Sequence, residues 1–152
     1  MPFKRNTSTD ESCIKAAKKT DLKSVTSNNF IENVMIVDDS ATMRKILRSL
    51  LEKIGIKNII EASNGLQGIK KLGENRVDII IADWLMPKMN GALMIKEIRK
   101  NPDYNNIPIV LVSAEYGEKI DNAIKAGANG YLNKPFSTHE LKTLLSKFIS
   151  TI

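Results

Sequence analysis

The chain has 152 residues, of which 42% are hydrophobic and 26% charged, a composition typical of a globular protein with one core. Residues 1–30 hold six Lys or Arg against three Asp or Glu, so half of the formal charge of +6 lies there, and the remainder is too diffuse for a DNA-binding groove. No run approaches the ~18 apolar residues of a membrane-spanning helix and no secretory signal opens the chain, so we expect a cytoplasmic protein.

The first thirty residues are polar and lysine-rich, with no apolar run. Ser8 and Glu11 form a capping-box pair that could begin a short helix. We predict a disordered or loosely helical arm over residues 1–30 and one domain over residues 31–152. Cys13 is the only cysteine, which excludes an intramolecular disulfide and a thiolate zinc cluster.

From residue 31 onwards, short apolar runs alternate with amphipathic segments. A strand is predicted at residues 34–37, followed by a helix with Ser40 as its N-cap and Gly55 at its end. The residues predicted to face inward from this helix are Met43, Ile46, Leu47, Leu50, Leu51 and Ile54. The next strand is predicted at residues 58–62 and the next helix at residues 65–72.

The third strand, predicted at residues 77–82, is apolar at nearly every position, as strands covered on both faces are. A helix over residues 91–100 and a strand over residues 107–112 follow. The fourth helix has Ile120, Ala123 and Ile124 on one face and ends at Gly127. After a short strand at residues 130–133, Ser137 and Glu140 form a capping box that begins the last helix.

Five strands that alternate with five helices predict right-handed βαβ units. The predicted fold class is α/β: a doubly wound, five-stranded parallel sheet in the flavodoxin-like order 2-1-3-4-5, with helices on both faces.

In such a sheet the residues that follow the strands meet at one edge, where ligands bind. Asp38, Asp39 and Asp83 come together from the first and third strands, joined by Ser113 and Lys134 from the fourth and fifth. Close carboxylates raise one another's pKa, and Mg²⁺ relieves this repulsion while also binding phosphate oxygens. Each of these residues, taken alone, could have a purely structural role in a turn, in a helix cap or at the start of a helix. Their common position predicts an Asp83 nucleophile for phosphoryl groups, assisted by Lys134, Ser113 and the N–H groups after Asp83 and Ser113.

Four segments are typical of one protein family: Val37-Asp38-Asp39-Ser40, Asp83 with Met86-Pro87-Lys88-Met89-Asn90-Gly91, Val112-Ser113-Ala114, and Lys134-Pro135-Phe136. With them, residues 31–152 resemble the response regulator receiver domains of two-component signalling. Within that family, Thr42-Met43-Arg44 and Asp83-Trp84 are most similar to the CheY-like chemotaxis branch.

The resemblance implies that Asp83 accepts a phosphoryl group from a histidine kinase, in a transfer that the receiver itself catalyses. It implies that Mg²⁺ is ligated by Asp39, Asp83 and the backbone carbonyl of Leu85, with Asp38 holding the ion through water. It also implies that Ser113 and Lys134 contact the phosphoryl group.

Further implications concern the output. The Lys134-Pro135 bond is expected to be cis, and Tyr131 to turn inward on activation, with Tyr116 and Lys119 on the readout surface beside it. The implied protein is a monomeric signalling switch, not an enzyme with a separate substrate, and its implied partner is a flagellar motor switch protein. A phosphorelay intermediate, or a receiver that regulates a non-motility protein, is the alternative.

Two other classes fit less well. A flavodoxin would bind FMN phosphate after the first strand, where Asp38 and Asp39 would repel it, and a dehalogenase-type phosphatase needs an acid where Leu85 stands. Leu85 also departs from the CheY of enteric bacteria, which has Asn there, and this difference predicts slow loss of the phosphoryl group. Trp84 is expected to be a partly exposed neighbour of the site.

Overall fold

The computed structural model describes residues 31–114 and 118–148, without the side chains of residues 118–120. The arm predicted over residues 1–30, with Cys13, lies outside the described residues, and so does Tyr116. Lys119 is described only as helical backbone, so its place on a readout surface stays a prediction.

Five parallel strands form one sheet in the order β2-β1-β3-β4-β5, as predicted. The strands are β1 (Asn33–Val37), β2 (Asn58–Ala62), β3 (Ile79–Asp83), β4 (Ile109–Ser113) and β5 (Gly130–Asn133). β3 and β4 each begin two residues after the predicted start and end one residue after the predicted end. Pro108 accounts for the late start of β4, because proline has no N–H to give the ladder. The late ends make Asp83 and Ser113 the last residues of their strands.

Five α-helices connect and follow the strands: α1 (Ala41–Ile54), α2 (Gly65–Leu72), α3 (Gly91–Arg99), α4 (Glu118–Ala126) and α5 (Thr138–Ser146). α1 and α5 pack on one face of the sheet, and α2, α3 and α4 pack on the other. β1 and β3 lie in the middle, so their side chains are buried alternately in the two cores. The architecture is the doubly wound one that the alternation of elements predicted.

The helix boundaries follow from their caps. The Ser40 hydroxyl accepts a hydrogen bond from the N–H of Met43 at 3.1 Å, and Ser137 and Glu140 form both bonds of the capping box. Gly55 ends α1 with φ of 107°, a left-handed conformation that side chains disfavour. None of the described helices is long and apolar enough to cross a membrane.

Two residues predicted to face inward are exposed. Ile46 retains 46% of its accessible surface and Ile124 retains 50%, whereas their chain neighbours Leu47 and Ala123 are buried. Consecutive helical residues point about 100° apart, so only one of each adjacent pair can face the sheet directly.

Candidate functional site

Three carboxylates meet at the carboxyl edge of the sheet. Asp38 and Asp39 directly follow β1, and Asp83 ends the neighbouring strand β3. One carboxylate oxygen from each residue lies within 4.8 Å of the other two. Asp38 and Asp83 are buried, whereas Asp39 is exposed. The structure therefore brings together the predicted acidic trio and leaves it open on the Asp39 side.

Asp38 is held by hydrogen bonds at three of its groups. Its N–H donates to the carbonyl of Ala62 at 3.1 Å, and its Oδ1 accepts from the N–H of Ser40 at 2.9 Å. Its own carbonyl accepts from Nη1 of Arg44 at 2.7 Å. These bonds fix the loop between β1 and α1, and the second carboxylate oxygen of Asp38 faces Lys134.

Lys134 brings a cation to the acidic trio from the end of β5. Its Nζ lies 3.3 Å from Oδ1 of Asp83 and 4.0 Å from Oδ2 of Asp38. Its backbone N–H donates to the carbonyl of Ser113 at 2.9 Å, which ties the β5 end to the β4 end. Ser113 is buried, one strand away from Asp83. The Lys134-Pro135 peptide bond is cis, as predicted.

Burial raises the pKa of both inner carboxyl groups. For Asp38 the opposing influences are the Ser40 N–H and the Lys134 ammonium, while the nearby charge of Asp83 adds to the rise. For Asp83 the ammonium of Lys134 opposes the rise, and the charge of Asp39 adds to it. Each pKa remains above its ordinary value, so the positive charge supplied by Lys134 does not fully compensate for burial of the two carboxylates.

The donor set fits Mg²⁺. All three groups are carboxylates, which are hard oxygen ligands, and one side of the cluster is open for water and phosphate oxygens. Among the described residues, Lys134 is the one cation within ion-pair distance of Asp38 and Asp83. A divalent cation would supply the compensation that the raised pKa values indicate is missing.

The structure also describes the side chains of two further predicted site residues, Leu85 and Tyr131. The side chain of Leu85 is 56% exposed, and its N–H donates to the carboxylate of Asp83. Tyr131 is half-buried, with its hydroxyl donating to the carbonyl of Ser113 at 3.5 Å. Its inward turn on activation stays a prediction.

The expectation that Trp84 is partly exposed is wrong. Its side chain is buried in the core between the sheet and α2, α3 and α4, not partly exposed. Its N–H, the one directly after Asp83, donates to the carbonyl of Val112 at 3.1 Å in the sheet, so it is not available to phosphate oxygens. The N–H of Leu85 is the donor next to Asp83 instead.

Sequence reasoning also missed the part played by Arg44. Arg44 belongs to the segment Thr42-Met43-Arg44, and it bonds the Asp38 carbonyl while also forming a salt bridge to Glu61 in β2. Helical spacing does not reveal a contact of this kind, because it joins three separate elements.

A groove of about 460 Å³ lies next to Lys134. Its lining is mostly apolar and comes from the start of α1 and from the segments after β4 and β5: Met43, Ile46, Ala114, Lys134, Pro135 and Phe136. The exposed side of Ile46 thus borders a surface that adjoins the acidic trio.

Comparison with known proteins agrees with this geometry. A family model described as the response regulator receiver domain matches residues 34–146. The chemotaxis protein CheY1 of Helicobacter pylori is 37% identical over 120 residues, which cover 78% of this chain and 97% of that protein. The chemotaxis protein CheY-3 of Vibrio cholerae is 38% identical over 120 residues, which cover 78% of this chain and 92% of that protein.

Solved structures give the same result. The chemotaxis protein CheY4 of Vibrio cholerae superposes with a TM-score of 0.73 at 31% identity, covering 78% of this chain and 99% of that one. The receiver domain of the sensor histidine kinase PA1611 from Pseudomonas aeruginosa has a TM-score of 0.73 at 25% identity, covering 80% of this chain and all of that one. That structure has a magnesium ion coordinated in its active-site cleft.

Proposed function

Because this chain belongs to the response regulator receiver family, we propose that it is a switch in which Asp83 accepts a phosphoryl group from the phosphohistidine of a histidine kinase. The observation that carries the proposal is the meeting of three carboxylates within 4.8 Å with the Lys134 ammonium 3.3 Å from Asp83. The same residues would both hold a cation and receive an anion, which suits phosphoryl transfer better than simple metal storage.

Asp39, Asp83 and the carbonyl of Leu85 would ligate Mg²⁺ directly, and Asp38 would hold it through water. When bound, Mg²⁺ neutralises negative charge on the phosphoryl oxygens and on the carboxylates around them. The raised pKa values of Asp38 and Asp83 support a cation at this position.

The chain's own residues perform the transfer. A carboxylate oxygen of Asp83 forms the new P–O bond as the P–N bond to the donor histidine breaks, and that imidazole leaves with the bonding electron pair. The Leu85 N–H donates to the Asp83 carboxylate and orients it. The ammonium of Lys134 leaves its ion pair with Asp83 and forms one with an oxygen of the phosphoryl group. The hydroxyl of Ser113 donates a hydrogen bond to another phosphoryl oxygen.

The covalent phosphate then biases the protein between two conformations. It adds about −1.5 to −2 charge at a point to which Lys134 and Ser113 are drawn, and both residues lie where β4 and β5 end. A shift of these ends moves Tyr131, whose hydroxyl already bonds the Ser113 carbonyl. A bias of ~2 to 3 kcal/mol is enough to make a minor state the major one.

We place the output in chemotaxis, with a flagellar motor switch protein as the partner. Support comes from relatives named as chemotaxis proteins, whose lengths this chain matches over 92% or more. A phosphorelay role has some support as well, because one structural neighbour is the receiver of a sensor kinase. Binding assays with a motor-switch peptide and with a histidine phosphotransfer protein, each with and without phosphorylation, separate the two roles.

The phosphorylation test uses acetyl phosphate with Mg²⁺ and intact-mass spectrometry. The wild type is expected to gain one phosphoryl group, and Asp83→Asn none. Asp103→Asn, which alters an exposed carboxylate on the 3₁₀ turn Pro102–Tyr104, is the matched control and should behave as wild type. Modification that persists in Asp83→Asn would contradict the proposal.

A further inference from the structure

Arg44 connects β2 to the acidic loop, which is the segment after β1 that carries Asp38 and Asp39. The proposed phosphoryl transfer does not use this residue. Its guanidinium spans two partners: Nη1 donates to the Asp38 carbonyl at 2.7 Å, and Nε donates to Oε1 of Glu61 at 3.0 Å. We propose that Arg44 is a positioning residue that fixes the peptide between Asp38 and Asp39 and thereby sets the affinity of the site for Mg²⁺. The inference rests on the proposed function, since it concerns the same metal site.

The peptide group between Asp38 and Asp39 is planar. The carbonyl oxygen of Asp38 and the N–H of Asp39 belong to one rigid plane, so a bond to that oxygen orients the backbone of Asp39. Asp39 is exposed and has little packing to direct its side chain. The direction of its Cα–Cβ bond is set by the backbone, and the bond from Arg44 to the Asp38 carbonyl helps to hold that backbone in place.

The other bonds to Asp38 help to fix the loop but do not contact this peptide directly. The Ala62 carbonyl holds the N–H that precedes the Asp38 side chain, and the Ser40 N–H holds the carboxylate itself. Neither touches the peptide between the two aspartates, which lies on the far side of the Asp38 Cα from the Ala62 bond. Among the described contacts, Arg44 is the side chain that fixes this peptide.

Glu61 provides the anchor. It lies within β2, a strand fixed along its length by pairing with β1. Hydrogen bonds from Arg48 and Arg44 lower the pKa of its carboxyl group, so it stays ionised at neutral pH. Arg44 is thus attached to the sheet at one end and to the acidic loop at the other, with only 18% of its side chain exposed.

Arg48 is a natural control. It donates to the other oxygen of the same Glu61 at 2.7 Å, and its remaining hydrogen bond goes to the carbonyl of Ile59 at 3.3 Å, not to the acidic loop. Arg44→Gln and Arg48→Gln therefore each remove one positive charge and one salt bridge to Glu61. Only Arg44→Gln removes the bond to the Asp38 carbonyl, and only Arg48→Gln removes the bond to Ile59 and an ion pair to Glu52 at 4.0 Å, neither of which reaches Asp38 or Asp39.

The sign of the effect separates positioning from long-range electrostatics. Loss of a positive charge near a cation site strengthens cation binding if charge alone matters. Loss of the anchor weakens binding, because the loop must then be ordered when Mg²⁺ binds; removal of an outer partner of a metal ligand typically costs about 10- to 100-fold in affinity.

The test is a titration of the full chain with MgCl₂. Binding is measured by calorimetry and by the shifts of the backbone NMR signals of Asp39 and Ser40. Arg44→Gln is expected to weaken Mg²⁺ binding about tenfold. Arg48→Gln is expected to bind as the wild type does, or slightly more tightly. Equal effects of the two substitutions, or tighter binding by Arg44→Gln, would overturn the inference.

Arg44→Lys tests whether Mg²⁺ binding needs the planar guanidinium, with its donors in two directions, or only a positive charge. Lysine keeps the charge but cannot hold Glu61 and the Asp38 carbonyl in two directions at once, so Mg²⁺ binding should stay weak. If Arg44→Lys bound Mg²⁺ as tightly as the wild type, the two-directional hydrogen bonding of the guanidinium would not be needed, which would contradict this explanation.

Hydrogen exchange of the metal-free protein gives a second test. The Asp39 and Ser40 amides should exchange faster in Arg44→Gln but not in Arg48→Gln. An equal rise in both variants would indicate a general loosening of the structure and would also overturn the inference.

Failure here can be told apart from failure of the proposed function. If wild type neither binds Mg²⁺ nor gains a phosphoryl group, the proposed function is wrong. If wild type does both and Arg44→Gln binds Mg²⁺ equally well, only the positioning role is wrong.

Discussion

Asp38 and Asp83 are carboxyl groups whose environment opposes their ionisation, and this makes the metal-free protein sensitive to pH. Burial raises both pKa values above the ordinary 3.8. The folded chain therefore binds these protons more tightly than the unfolded chain does. The free energy of unfolding must fall as pH rises from the ordinary pKa through the raised one.

Asp38→Asn tests this reasoning at a single residue. Asparagine keeps an oxygen that can accept the Ser40 N–H but carries no charge, so in EDTA the variant should be more stable than wild type at about pH 7. The difference should shrink as pH falls toward the ordinary pKa of Asp, where wild type is protonated too. Urea unfolding across this range measures it, and a difference that does not vary with pH would contradict the assignment.

Leu85 stands at the position where the CheY of enteric bacteria has Asn. Leu85 is 56% exposed near Asp83, and an apolar group there does not orient an attacking water molecule. Leu85→Asn is expected to shorten the half-life of the phosphorylated protein severalfold, measured by the decay of the phosphorylated mass after donor removal.

Stability serves as the internal control for Leu85→Asn. An exposed substitution of this type should change the free energy of unfolding by no more than about 0.5 kcal/mol. An unchanged half-life in a fully folded variant would show that Leu85 does not slow hydrolysis.

At the scale of elements, the junction between β3 and α3 depends on a close approach of backbone to backbone. A Cβ added at Gly91 would lie 2.8 Å from the Asp83 carbonyl oxygen and 2.9 Å from Cδ2 of Leu111. The Gly91 N–H also donates to the carbonyl of Trp84 at 2.9 Å, which folds the start of α3 against the end of β3. The start of α3 thus packs directly against the end of the strand that carries Asp83.

Gly91→Ala is therefore expected to destabilise the fold by about 1 to 3 kcal/mol and to disturb Mg²⁺ binding by displacing Asp83. Gly73→Ala is the matched control: it ends α2 with φ of −74°, and the nearest atom to its added Cβ is 3.5 Å away. It should be neutral or stabilising by up to about 1 kcal/mol. Urea denaturation of both variants measures the contrast, and equal stabilities would refute the close-approach argument.

Binding of Mg²⁺ at the proposed site would be linked to folding of the whole domain, because the unfolded chain cannot assemble the acidic trio. Mg²⁺ at about 100 times its dissociation constant should add about 2.7 kcal/mol to the free energy of unfolding. The gain should decline as pH falls through the raised pKa values of Asp38 and Asp83, because protons then compete with the cation. Thermal unfolding in MgCl₂ against EDTA measures this gain.

Asp39→Asn is the control for that experiment, because Asp39 is exposed and its substitution leaves the cores intact. The variant should unfold at nearly the same temperature with and without Mg²⁺. Stabilisation that persists in Asp39→Asn, or that NaCl of equal ionic strength reproduces in wild type, would indicate general screening of charge instead of a specific site.

The order of elements, the sheet topology and the residues at the carboxyl edge of the sheet were all predictable from the sequence. Apolar runs at Val34–Ile36 and Ile79–Ile81 can be buried on both sides only in the middle of a parallel sheet, and caps such as Ser40 and Ser137 set helix starts through local bonds. Since every strand of a parallel sheet points the same way, the placement of Asp38, Asp83 and Lys134 at one edge followed from topology alone.

The contacts that those residues make were not predictable from the sequence. The burial of Trp84, the exposure of Ile46, and the link from Glu61 through Arg44 to the Asp38 carbonyl each depend on how separate elements pack together. Sequence periodicity indicates which face of a helix or strand is apolar. It does not indicate the distances between the side chains of different elements. For that reason the members of the site were predictable from the sequence, whereas the contacts that hold them in place were not.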